Sequence, residues 1–118
     1  MEYSDDIVFF DDQTNEKLVF NFKTWILTIK GIIVNYAKKT EEEADNLIKE
    51  KIFIIPRDYT QVIFYSHETE YHWAMLVVYG EGYWHKGISS IEPHDYDEWN
   101  QNHRKINFLK QESFEFMD

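Results

Sequence analysis

Apolar residues recur along residues 22–37 at helical spacing. Phe22, Trp25, Ile26, Ile29, Ile32, Ile33, Tyr36 and Ala37 build one stripe, and Lys23, Lys30, Asn35 and Lys38 lie off it. This spacing predicts a helix with a single buried face. Thr40-Glu41-Glu42-Glu43 follows with the signature of a capping box. In such a box the Thr40 hydroxyl accepts from the Glu43 amide, and the Glu43 carboxylate reaches back to the Thr40 amide. The three glutamates also suit the positive end of a helix dipole. Ala44, Leu47 and Ile48 supply the buried edge of this short second helix.

Upstream, IVFF (7–10) and KLVFNF (17–22) flank the turn-like DDQTNE, and Leu18, Phe20 and Phe22 alternate with Val19 and Asn21. Alternation of this kind predicts an N-terminal β-hairpin, which needs helices to pack on. An irregular acidic arm is the alternative. Residues 51–65 read two ways. In one, 52–55 and 62–65 are short strands around Pro56-Arg57-Asp58. In the other, Asp58 caps a helix with Gln61 at its third position, running on through Ser66 to Tyr79 or Trp84. The helical reading is preferred, with Ser66 as a second candidate cap and Gly80 and Gly82 ending the helix. Residues 85–93 form a loop. Asp95-Tyr96-Asp97-Glu98 is a second candidate capping box, opening a last helix with Tyr96, Trp99, His103, Ile106 and Leu109 on one side.

The expected fold is mainly α, a small bundle of about four helices with the hairpin as an optional addition and α+β as the alternative class. One domain spans 1–118: an acidic arm or hairpin over 1–20, a helical core over 21–110 and a C-terminal tail over 111–118. The 118 residues and 14.4 kDa suffice for one core. An aromatic share of 18% is far above that of disordered chains. Four Gly and two Pro argue against a sandwich with many tight turns.

With no Cys, disulfides, thiolate metal sites and a cysteine nucleophile are excluded. The first residues are acidic where a secretion signal is basic, and apolar runs such as 74–79 are far below membrane-spanning length. The expectation is an intracellular, cytoplasmic protein with no membrane partner.

The net charge of −10 is unevenly spread. Residues 1–16 hold six acids and no base, residues 17–40 five Lys and no acid, and the last 28 residues seven acids against three bases. Such a surplus repels phosphate, so no nucleic acid is expected; it suits a basic protein partner. The lysines of 17–40 read as a solvated face.

SHETEYHW (66–73) is where the chain looks most like chemistry. A zinc protease needs His-Glu-x-x-His, whose imidazoles share one helix face. Here His67 and His72 are five apart, which turns them about 140° from each other on a helix, so they cannot share a zinc. The pairs Glu68/His72 and Glu81/His85 do have the spacing of one helix face. A metal-dependent hydrolase would use these four residues, whereas solvent-side pairing is the plainer reading. The expectation is no metal, no cofactor and no catalytic residue. Neither a Gly-x-Ser-x-Gly elbow nor a phosphate loop around Gly80 and Gly82 is present.

Aromatic residues Tyr79, Tyr83, Trp84 and Trp99 lie close in sequence to Glu92, Asp95, Asp97 and Glu98. They either fill the core or, where exposed, form an anchor with an acidic rim. Asp95 and Glu98 are expected to cap the last helix. Glu92 and Asp97, with Tyr83, Trp84 and Trp99, are then the candidate partner-binding residues.

The segment Glu70-Tyr71-His72-Trp73-Ala74-Met75-Leu76 follows a Trp-containing helix and Thr-Glu-Glu-Glu-Ala-Asp-x-Leu-Ile. Over residues 25–76 the chain resembles small uncharacterised acidic bacterial proteins of the toxin-immunity and antitoxin type. The resemblance brings no catalytic motif and implies a protein that acts by binding another protein. The expected function is a non-enzymatic protein-binding module, an intracellular inhibitor of a basic protein such as a nuclease toxin. The alternatives are the hydrolase above and a structural or regulatory subunit.

Overall fold

Strand alternation and helical periodicity both materialise, and they share one core. The computed structural model describes residues 3–51 and 57–117. In chain order these form β1 (Ile7–Phe10), β2 (Lys17–Phe20), α1 (Phe22–Tyr36), α2 (Glu41–Lys51), α3 (Tyr59–Ser66), α4 (Glu70–Tyr79), a 3-10 turn (Tyr83–Lys86), α5 (Tyr96–Ile106) and β3 (Phe114–Met117). The architecture is therefore mixed α+β: five α-helices packed with a three-stranded antiparallel sheet of order β1-β2-β3. The mainly helical expectation holds in part: helices dominate, and the three-stranded sheet places the fold in the α+β class given as the alternative.

The hairpin forms in the register Ile7↔Phe20 to Phe10↔Lys17. Its turn is closed by the Asp11 amide donating to the Glu16 carbonyl, with Asn15 in the left-handed region at φ 60°. Asparagine tolerates that conformation better than most residues. The segment read as a C-terminal tail supplies the third strand, pairing Phe20↔Phe114 and Leu18↔Phe116. This makes β2 the central strand. Leu18 and Phe20 are accordingly fully buried.

Phe20 stacks on Phe114 at 4.9 Å and packs edge-on against Trp25 of α1 at 5.6 Å. Trp25 in turn stacks on Tyr65 of α3 at 4.8 Å and meets Trp73 of α4 edge-on at 6.1 Å. One ring cluster thus joins the sheet to three helices. Of the rest of the predicted α1 stripe, Phe22, Ile26, Ile29, Ile32 and Ile33 are buried beside it together with Ala44, Ile48, Val62 and Ala74, while Tyr36 and Ala37 are partly buried.

The start of α1 is held from a distance. Asn21 is fully buried, and its side chain accepts from the Asp6 amide and donates to the Glu112 carbonyl and the Glu115 carboxylate. It therefore clips the two ends of the chain together instead of capping its own helix. Asp5 takes the capping role, accepting from the Thr24 amide at 2.8 Å and the Thr24 hydroxyl at 3.1 Å.

The Thr40–Glu43 box forms in both directions, at 2.9 and 3.1 Å. Asp58 caps α3 by accepting from the Gln61 amide, so residues 62–65 are helical and the strand reading of that segment is overturned. The other proposed strand, 52–55, lies outside the described residues. The helix expected to run through Ser66 is broken instead. Ser66 ends α3, its hydroxyl donating back to the Ile63 carbonyl, and Thr69 is the cap that opens α4. No helix among the described residues is long and apolar enough to cross a membrane.

Candidate functional site

Helix α5 carries the acidic and aromatic residues singled out in the sequence, and polar contacts set its start. Asp95 was expected to cap it. Its backbone, at φ −93° and ψ 6°, lacks the extended geometry of a side-chain cap, and no such hydrogen bond forms. The carboxylate instead accepts from the Tyr36 hydroxyl at 2.9 Å, tying the end of α1 to the start of α5. Burial, followed by this hydrogen bond and the Asp95 charge, pushes the Tyr36 phenol up to about 12. The second capping box is thus corrected to a bridge between helices. Asp97 and Glu98 still sit in the first turn, where the helix dipole favours them.

Behind that start lies a cluster of rings. Tyr36 meets Trp99 edge-on at 5.5 Å and Tyr71 at 6.0 Å, while Tyr71 meets Tyr96 at 5.5 Å. Edge-to-face pairs of this kind add directional attraction to plain burial. Tyr96 is buried, and Trp99 is half-buried, stacked on His103 at 4.7 Å. Trp99 therefore keeps part of its surface on the outside.

The five candidate partner residues divide. Glu92 and Asp97 are exposed. Partial desolvation raises the Glu92 carboxyl, and the nearby charges of Asp97 and Glu70 raise it further. Among the described residues neither Glu92 nor Asp97 enters an ion pair, since the pairs formed are Lys30 with Glu41 and Asp45, Arg104 with Glu70, and Lys110 with Asp6. Trp84 is 47% exposed on the 3-10 turn, seated edge-on against Tyr83 at 5.0 Å. Tyr83 itself is fully buried, and its hydroxyl is 2.8 Å from His72 Nδ1. It supports Trp84 from below and offers no surface to a partner.

The four residues of the hydrolase reading do not assemble on shared helix faces. Glu68 lies in the turn before α4 and His72 within it; Glu81 lies in the turn after α4 and His85 on the 3-10 segment. His72 is occupied by Tyr83. Among the described residues, no group of three or more His, Asp or Glu side chains could hold a metal ion.

The turn around Ser66, His67 and Glu68 lines a cleft of about 1110 Å³ together with residues of α5 and the C-terminal segment. At its wall the Glu70 carboxylate accepts from Arg104 Nη2 at 3.1 Å and from the Ser113 hydroxyl at 2.6 Å. Arg104 also donates to Asn100 Oδ1 and to the Lys110 carbonyl. Glu70 thus serves a cation and a hydroxyl at once, joining α4, α5 and the approach to β3. Sequence reasoning missed this network because its members are 34 and 43 residues apart and share no local pattern.

No family model, curated protein or solved structure matches this chain.

Proposed function

We propose that this chain is a non-enzymatic binding module, an inhibitor of the immunity or antitoxin type, that docks a basic protein partner through Glu92, Asp97, Trp84 and the outer part of Trp99. The observation that carries this reading is the pairing of Glu92 with Asp97. Both are exposed, the Asp97 charge disfavours the ionised Glu92, and neither enters an ion pair among the described residues. A lysine or arginine from a partner relieves that repulsion, which makes the complex electrostatically favoured over the separate proteins. The overall charge of −10 supports capture, because it steers a basic partner toward the surface before contact. Trp84, backed by the buried Tyr83, suits the role of an anchor that loses little side-chain freedom on binding.

The partner is to be isolated from the native host and identified, and its association then followed by stopped flow against ionic strength. Association should slow steeply with salt, as screening shortens the reach of the field. Replacing Glu92 and Asp97 together by Lys should slow it about tenfold or more at low salt. The same double change should leave unfolding within about 0.5 kcal/mol of wild type, since both residues are at the surface. A partner without a basic patch, or unchanged association by the double variant, overturns the reading.

A further inference from the structure

His103 occupies an unusual position between α5 and α1. Its imidazole lies directly over Gly31 in the middle of α1, so close that a Cβ on Gly31 would stand 2.5 Å from the ring. Nε2 is 3.1 Å from the Leu27 carbonyl, which can only accept, so Nε2 carries a proton. Nδ1 is 3.2 Å from Asn107 Nδ2. The Asn107 amide takes that orientation because the same Nδ2 donates to the His103 carbonyl at 2.8 Å. Nδ1 is therefore an acceptor, and the ring is neutral with both nitrogens satisfied. A second proton would sit on Nδ1, pointing at an amide that offers hydrogens.

The charges facing the ring do not favour that proton. From α1, Lys30 and Lys38 line the adjoining cleft of about 580 Å³; from the start of α2, Glu41 does; on α5 itself, Arg104 is the nearest charge. Glu41 is the acid of this set, and it lies 3.9 Å from Lys30, which Asp45 also engages.

We propose that His103 is a proton-operated latch: protonated, it no longer fits its seat on α1, and α5 from Trp99 onward loosens as the pH falls. Burial, the largest cause, lowers the affinity of the ring for a proton, with the Arg104 charge acting in the same direction against the Leu27 hydrogen bond. The folded value lies below the unfolded value of 6.5, so the latch is fully closed above about pH 6.5. It weakens up to about tenfold per pH unit below that, until the folded value is reached. The consequence for docking rests on the reading of Trp99 and Asp97 as a partner face: binding weakens with acidification because the face loses its backing. The latch itself is tested on the partner-free chain, so the two can fail separately.

Imidazole nitrogen shifts and the Trp99 indole resonance are to be followed by NMR from pH 7.5 to 4.5. His103 should show the Nε2–H tautomer at pH 7.5 and a midpoint below 6.5, with the Trp99 indole moving at the same midpoint. His103→Gln, which keeps a donor for Leu27 but cannot titrate, should abolish that Trp99 transition. Asn107→Asp, which gives Nδ1–H an acceptor, should raise the midpoint by about one unit or more. A midpoint at or above 6.5, a Trp99 resonance indifferent to the titration, or an unmoved midpoint in Asn107→Asp overturns the latch.

Discussion

The ring cluster around Trp25 and the ring cluster behind α5 contain similar side chains but are held together differently. Around Trp25, the rings of Phe20, Phe22, Tyr65, Trp73 and Phe114 pack on one another. Among the described residues their side chains make two polar bonds: Trp73 Nε1 donates to the Tyr65 carbonyl at 3.0 Å and Gln61 Nε2 donates to the Tyr65 hydroxyl at 3.4 Å. The Trp25 indole nitrogen is buried without a hydrogen-bond partner in the described structure. Behind α5, the corresponding groups are tethered: Tyr36 to Asp95, His103 to Leu27 and Asn107, Arg104 to Glu70. Apolar burial is non-directional and changes little with pH, so the first cluster is the mechanical base of the fold. Directional bonds to titratable groups respond to single substitutions and to protons. The region that carries the proposed docking face is therefore also the region that conditions can loosen.

Three measurements press on this contrast, beginning with the largest effect. Trp25→Ala should destabilise the chain by about 3–5 kcal/mol in denaturant unfolding, the range for truncating a large buried ring. A loss below about 1 kcal/mol would mean that the cluster is not the base of the fold.

Gly31→Ala comes next, and its sign depends on His103. Alanine is favoured over glycine inside a helix by about 0.5–1 kcal/mol, but forcing a methyl into a packed contact costs about 1–3 kcal/mol. With the ring 2.5 Å from the added Cβ, the contact should win and the variant should be less stable. In a His103→Ala background the overlap is gone, and the same Gly31→Ala change should stabilise. A double-mutant cycle by urea unfolding reads this reversal directly; equal effects in both backgrounds would mean that His103 does not lie where the structure places it.

The smallest expected effect concerns Tyr36 and Asp95. Tyr36→Phe and Asp95→Ala should each cost about 1 kcal/mol, the net value of one hydrogen bond, and the double variant should cost much less than their sum. Strict additivity would indicate that Asp95 acts alone, as a cap would. The pair also has an alkaline signature. Because the folded phenol of Tyr36 is raised to about 12 from 10.0, its contribution is complete below pH 10 and is lost as the pH rises toward 12. Tyr36→Phe should remove part of that alkaline loss in a stability profile.

Local features were legible in the sequence wherever their partners lie close by. The α1 stripe, the Thr40–Glu43 box, the Asp58 cap and the hairpin all involve neighbours in sequence, or strands joined by one short turn. The misreadings are equally instructive. Ser66 and Asp95 both have side chains that cap helices well, and each found a different partner. Tyr83 looked like an exposed anchor beside Trp84, yet a 3-10 turn points one ring inward and leaves the other half exposed.

The sequence by itself determined which segments are amphipathic, where most helices begin and how the net charge is biased, because periodicity and capping act over a few residues. Only the tertiary structure decided that 114–117 completes the sheet, that Asn21 joins residues 91 and 94 positions away, and that Asp95 reaches Tyr36 across 59. A carboxylate or amide has many donors and acceptors of equal chemistry along the chain. Which one it meets is set by the packing that buries Trp25, Phe20 and Phe114 together, and that packing is a property of the whole fold.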